Sequence, residues 1–126
     1  MSITAAVFCM AQAIYFEARG EELAHRLMVA NTIMNRVKSP RYPDTVCEVV
    51  KQRHQFSYYW DGKPETIDDR RAWNDALYWA ERYLENPIQF HEGCHYAHKD
   101  LNPRWASAME ASFVAGNHRF YIGGCD

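Results

Sequence analysis

The sequence predicts a single α+β domain over residues 1–126, mostly helical with a small β element near its end. Three observations predict it. Long segments before residue 86 repeat apolar residues at helical spacing. The last third changes to short aromatic stretches broken by turn residues. No internal repeat, low-complexity tract or linker divides the chain.

Each element follows in order. Residues 4–18 read as a buried helix: Val7, Met10 or Ala11, Ile14 and Ala18 form one stripe, and Phe8, Gln12 and Tyr15 a second. Gly20 suits the left-handed turn that ends such a helix. Residues 22–38 read as a second helix, with Leu23, Leu27, Ala30, Met34 and Val37 facing inward and Ser39-Pro40 stopping it. "YPDTVCEVVKQ" predicts a short helix capped by Asp44 or Thr45, with Val46, Val49 and Val50 on the core side. Residues 53–66, aromatic and polar with an Asp61-Gly62 turn signal, read as a loop or hairpin. Residues 67–85 read as a third long helix with Trp73, Leu77, Ala80 and Leu84 as its inner stripe, closed by Asn86-Pro87. Short strands then alternate with turns at Gly93, Asn102-Pro103 and Gly116-Asn117.

Composition narrows the function. Hydrophobic residues make up 48% of the chain, enough for a core. Aromatics reach 14%, which also suits a groove that stacks on sugars or bases. A net charge of -2 gives no basic face for nucleic acid. No stretch approaches the roughly 20 apolar residues of a membrane span. The N-terminal apolar run has no preceding Lys or Arg and is interrupted by Gln12, so it reads as a helix of the fold and not as a signal peptide. Cys9, Cys47, Cys94 and Cys125 are widely and irregularly spaced. They are expected as buried free thiols, with one or more disulfides of unassigned pairing as the alternative.

Three places carry candidate chemistry. Glu17 ends the most apolar segment, in the last turn of the first helix. The helix C-terminus, packed aromatic neighbours and the like charge of Glu21 each disfavour an ionised carboxylate, whereas Arg19 would favour it by pairing. A carboxylic acid kept protonated is what a glycosidic leaving oxygen needs as proton donor. By spacing alone, Glu17 also fits a solvated helix end. The second place is His91, His95 and His98 with Glu92 nearby; their spacing matches zinc ligands on a helix, but "HEGCHYAHKD" does not read as helical, so structural hydrogen bonding is expected there. The third is Gln55, Phe56 and Ser57, followed by Tyr58, Tyr59 and Trp60, where rings and polar groups interleave as in saccharide sites. No nucleophile elbow surrounds Ser57.

Several motifs occur together and in order: "YFEARGE" (15–21), "VANTIMNRVKSPRYPDTVCEVVKQ" (29–52), "QFS" (55–57), "HYAHKDLNPRWA" (95–106) and "GNHRFY" (116–121). The chain resembles the SleB-like cell-wall hydrolases, the family named for spore cortex-lytic enzymes. The resemblance implies a lysozyme-like α+β catalytic domain acting on peptidoglycan glycan strands. It implies cleavage between N-acetylmuramic acid and N-acetylglucosamine as a lytic transglycosylase, with Glu17 as the single catalytic acid. The alternatives are a hydrolytic muramidase, or an N-acetylmuramoyl-L-alanine amidase drawing on zinc at the histidines; no metal or cofactor is expected for the leading reading.

Gln55, Phe56, Ser57 and Tyr96 are carried over as substrate-binding residues. The family's His-Tyr-His pattern is interrupted by Ala97, which moves any role of its second histidine to His98. Arg19 and Glu21 are expected to support the acid or the turn that follows it. A single module without an evident signal peptide looks like many phage endolysins. A monomer is therefore expected, acting on the bacterial cell wall for host lysis after a holin or another export route releases it.

Overall fold

The computed structural model describes residues 4–52 and 67–126. The expected 53–66 loop, with Gln55, Phe56 and Ser57, lies outside the described residues. Helix α1 spans Ala5–Ala18, α2 Leu23–Lys38, α3 Val46–Lys51 and α4 Arg70–Glu85. Strand β1 (His95–His98), a 3₁₀ helix (Arg104–Ala108), β2 (Ala111–Ala115) and β3 (His118–Ile122) follow. The sheet is antiparallel with β3 in the centre, order β1-β3-β2. This is the α+β architecture the sequence predicts.

Local chemistry sets the helix limits. The Thr4 hydroxyl accepts from Val7 N at 3.2 Å and opens α1. The helix ends at Ala18, and Gly20 takes φ +86°, the left-handed region that glycine enters without a Cβ penalty. Thr45 caps α3 by accepting from Glu48 N. Asp69 caps α4 through Ala72 N at 3.0 Å, which fixes the start at Arg70 rather than at residue 67.

The core lies between α1, α2, α3 and α4 and is completed by Phe120 of β3. Along α1, Val7, Met10, Ala11, Ile14, Tyr15 and Ala18 are all buried, joining parts of both expected stripes. On α4 the buried line is Trp73, Ala76, Ala80 and Tyr83. Leu77 and Leu84, expected at its centre, flank it. Ala76 and Ala80, set between the larger Trp73 and Tyr83 on that line, leave room for α4 to pack on α1.

Helix α2 departs further from expectation. Leu23, Leu27, Met34 and Val37 are only partly buried. The buried residues are His25, Val29, Ala30, Asn31, Thr32, Ile33, Asn35 and Arg36. The reason is a second contact: segment 89–94 packs on the polar side of α2, so both sides of its C-terminal half are covered.

The cysteines correct the free-thiol expectation. Cys9 bonds Cys47 and Cys94 bonds Cys125, with Cα–Cα separations of 5.2 and 5.4 Å. Distance along the chain says little here, because packing makes the pairs. Helix α3 lies on α1, and Gly93 bridges Gly123 so that the C-terminus returns beside β1.

Candidate functional site

Glu17 sits one residue before the end of α1, half-buried. Its carboxylate lies within electrostatic reach of the Arg36 guanidinium, as does the Tyr96 phenol. One element supplies each group: α1 the acid, α2 the cation and β1 the phenol. Arg36 is 3% exposed. Its Nε donates to Cys94 O at 2.6 Å, and its guanidinium lies 5.1 Å from the Tyr42 ring centroid. Burial pushes its pKa down, against the opposing fields of Tyr42, Tyr96 and Glu17. A buried cation of this kind is held in place by its partners and not by solvent.

The backbone before β1 is held by amide side chains of α2. Asn31 Oδ1 accepts from Phe90 N at 2.7 Å and His91 N at 3.0 Å. Asn35 Nδ2 donates to His91 O and Gly93 O at 3.0 and 2.8 Å. These bonds fix where β1 begins and therefore where Tyr96 stands. The Tyr96 ring packs on Phe120 at 5.4 Å and edge-on to His118 at 4.9 Å.

Arg19 and Glu21 face different neighbours. Arg19 pairs with Asp68 at 3.1 Å and with the Tyr15 hydroxyl, at the start of α4. Its hydrogen bond to Asp68 raises the guanidinium pKa and lowers that of the carboxyl. Glu21 lies beyond the end of α1. It accepts from Asn117 Nδ2 at 2.7 Å and lies 3.3 Å from His25 Nδ1. It thus joins the turn after α1 to the β2–β3 hairpin.

The three histidines of the expected zinc cluster do not converge. His91 is buried; its Nδ1 accepts from Gly93 N at 3.0 Å, and its Nε2 lies 3.2 Å from the Thr32 hydroxyl. His95 packs on Trp105 at 4.8 Å, with Tyr42 Oη 3.4 Å from its Nε2. His98 is exposed, and its Nδ1 accepts from Asp100 N at 3.2 Å. Among the described residues, no three His, Cys, Asp or Glu side chains are grouped to hold a metal.

Sequence reading missed the buried polar face of α2 and the pair His25 and His118, whose ring nitrogens lie 2.7 Å apart. Burial and the field of His25 push His118 down to about 4; Glu21 opposes this and His98 adds to it. The signal present in the sequence was the polar run Asn31-Thr32…Asn35-Arg36, placed on a helix too apolar elsewhere to be a solvated surface.

Comparison with known proteins bears on this geometry. A family model described as cell wall hydrolase matches residues 20–121. Glu17 lies three residues before that range. The spore cortex-lytic enzyme of Halalkalibacterium halodurans is 44% identical over 71 residues, covering 54% of this chain and 22% of that protein. The Bacillus cereus spore cortex-lytic enzyme is 41% identical over 83 residues, covering 56% of this chain and 32% of its own length. These matches span about a fifth to a third of the relatives' length. The catalytic domain of the germination-specific lytic transglycosylase SleB from Bacillus anthracis superposes with a TM-score of 0.72 and 25% identity, covering 92% of this chain and 93% of that one. The fold is therefore the lysozyme-like α+β fold of that catalytic domain.

Proposed function

The chain belongs to the cell wall hydrolase family, and from that premise we propose that it cleaves peptidoglycan glycan strands as a lytic transglycosylase with Glu17 as its catalytic acid. The observation that carries the reading is the grouping of Glu17 with a buried Arg36 and with Tyr96, in a fold shared with a lytic transglycosylase domain.

The chemistry needs one carboxyl group. Glu17 gives its proton to the glycosidic oxygen between N-acetylmuramic acid and N-acetylglucosamine, and the C1–O bond breaks. The carboxylate left behind then takes the proton of the muramic acid 6-hydroxyl as that oxygen attacks C1 of the same sugar. A 1,6-anhydro ring forms, Glu17 is protonated again, and no water is consumed. The Arg36 cation lowers the energy of the carboxylate that exists between the two transfers. A hydrolase of either stereochemistry usually relies on a second carboxylate, roughly 5–9.5 Å from the first. Glu21, the neighbouring acid, is engaged by Asn117 and His25.

Gln55, Phe56 and Ser57 remain our candidates for holding the saccharide, with Tyr96 and His98. The two disulfides support action outside the reducing cytoplasm. Delivery through a holin-opened membrane for host lysis belongs to the same proposal, and a holin reading frame beside the gene is its test.

Digestion of purified murein with the wild type and Glu17→Gln, followed by mass spectrometry, tests the reaction. Anhydromuropeptides are expected from the wild type, and a loss of about 10²–10⁴-fold in rate from the variant, the usual worth of a general acid–base group. Reducing muramic acid ends would indicate a hydrolase. Unchanged lysis by Glu17→Gln would remove Glu17 as the acid.

A further inference from the structure

Arg36 is a cation at 3% exposure, so protein groups must replace the water that its charge would otherwise hold. One edge is fixed by the Nε–H bond to Cys94 O at 2.6 Å. One face lies over the Tyr42 ring, with the guanidinium carbon 5.1 Å from the centroid. That is inside the roughly 6 Å over which a ring face attracts a cation, and a guanidinium is flat and weakly hydrated enough to stack there. Tyr42 has no part in the proton transfers described above.

The ring is itself fixed by its neighbours. Tyr42 ends a turn that begins where α2 stops: its N–H donates to Ser39 O at 3.3 Å, and Pro40 occupies the position whose φ such a turn presets. Ser39 braces the turn, because its hydroxyl accepts from Arg41 N at 3.1 Å and donates to Cys125 O. His95 of β1 stands beside the ring, with Tyr42 Oη 3.4 Å from its Nε2 and the ring centroids 6.4 Å apart. His95 packs in turn on Trp105, and a Cβ on Gly124, at φ +82°, would collide with its Nδ1. Burial and the fields of Arg36 and Arg41 hold His95 down at about 4. It is therefore neutral near neutral pH and sets no second cation against Arg36.

We propose that Tyr42 is a positioning residue of the reaction: its ring face holds the Arg36 guanidinium in the place from which the cation stabilises the Glu17 carboxylate. This rests on the reading of Glu17 as the catalytic acid. The titratable groups in electrostatic contact with Arg36 are Tyr42 from the turn, Tyr96 and His95 from β1 and Glu17 from α1. The role needs the face of the ring and not its hydroxyl. An aliphatic side chain at this place leaves the guanidinium free to shift or to take up water, and either change weakens its pull on the carboxylate. Glu17 then keeps its proton to a higher pH and gives it up less readily.

¹³C NMR of the Glu17 carboxyl tests this without an activity assay. The signal is assigned by its absence in Glu17→Gln, and its titration is compared in the wild type, Tyr42→Phe and Tyr42→Leu. His95 is followed by its own imidazole signal. In Tyr42→Leu the Glu17 midpoint is expected to rise by about one pH unit. In Tyr42→Phe, which keeps the ring, it is expected to match the wild type. On murein, kcat of Tyr42→Leu should fall about three- to tenfold with KM unchanged, and Tyr42→Phe should recover most of that loss. Tyr42→Met fills the space with an unbranched apolar chain and should behave as Tyr42→Leu does, which covers the case of a leucine variant that does not fold. A Glu17 midpoint that stays in place in the aliphatic variants overturns the proposal. So does an equal rise in Tyr42→Phe, which assigns the effect to the hydroxyl and His95. A rate loss carried by KM overturns it too, since that places Tyr42 in contact with substrate. Failure of the reaction itself reads differently. Murein lysis by Glu17→Gln equal to that of the wild type removes the acid and the role of Tyr42 with it, whereas an unmoved midpoint removes Tyr42 and leaves the acid standing.

Discussion

Two buried seams of this molecule are built from opposite materials. Between α1 and α4 the contact is apolar: Ile14, Tyr15, Trp73, Ala76 and Ala80, with Tyr15 and Trp73 edge-to-face at 5.9 Å. Between α2 and segment 89–94 it is polar: Asn31, Thr32, Asn35 and Arg36 meet backbone groups and His91. The apolar seam gains free energy from burial but tolerates small slips, because dispersion contacts are not directional. The polar seam contributes less per contact and fixes position to within a hydrogen bond. It is the polar seam that ends at β1 and Tyr96. The helix bundle thus supplies stability, and the α2 amides supply the placement on which the proposed chemistry depends.

A matched pair of substitutions separates the two effects. Ile14→Ala, at a site 1% exposed, removes about 3 kcal/mol by lost burial and cavity formation. Asn31→Leu keeps the volume but leaves the Phe90 and His91 N–H groups and a Gln89 partner unmet, at about 3–5 kcal/mol. Urea unfolding measures both. The distinction lies in activity per folded molecule: Ile14→Ala should retain it, whereas Asn31→Leu should lose most of it through displacement of β1. Equal retention in both variants would end the division of labour drawn above.

The disulfides sharpen the same contrast. The cross-links span 38 and 31 residues, for which loop-closure entropy gives about 4 kcal/mol each. Cys9–Cys47 ties α1 to α3 within the helical part, and Cys94–Cys125 ties the C-terminus to the residue before β1. Replacing each pair by alanines and following thermal unfolding should show comparable losses. Only the Cys94–Cys125 variant should also raise KM, because of the two cross-links only that one adjoins the strand carrying Tyr96.

This contrast also explains what the sequence disclosed. Apolar periodicity located α1, α2, α3 and α4 to within a few residues, because burying an apolar stripe is what makes those helices stable. It misassigned the inner side of α2, since a polar residue buried by hydrogen bonds looks like a surface residue until its partner is known. Asn31 meets Phe90 and His91, which lie 59 and 60 positions away. The cysteine pairs were hidden for the same reason. Glu17 stood out locally, by ending an apolar run. His118 did not, because its interest comes from His25 and Glu21, 93 and 97 residues earlier in the chain.

Acid should weaken the polar seam and the sheet more than the helical seam. Burial lowers the pKa of His25, His91, His95 and His118, to about 4 for the last two. Unfolded imidazoles bind protons below about 6.5. Between pH 6.5 and 4 the unfolded chain therefore carries more protons, so stability rises with pH across that window and is lost as pH falls through it. His95 and His118 each contribute about 1–2 kcal/mol once partial solvent screening is allowed for. Urea midpoints measured from pH 7 to pH 4 should decline steadily, and His118→Phe should flatten the decline. A midpoint independent of pH in this range would contradict the neutral, buried state of these rings.

The smallest expected effect belongs to the ion pair of Arg26 and Asp75, which joins α2 to α4. Arg26 and Asp75 meet at the rim of an open cavity of about 460 Å³ that Ile14, Tyr15 and Arg71 also line. The Asp75 side chain is 46% exposed, so water competes for the carboxylate and salt screens the pair. A double-mutant cycle with Arg26→Ala and Asp75→Ala should give a coupling below about 1 kcal/mol that shrinks further in 1 M salt. A larger, salt-insensitive coupling would mean that charge, and not the apolar contact of α1 with α4, fixes how α4 docks. The two seams would then share one mechanism, and the contrast between them would fail on the helical side.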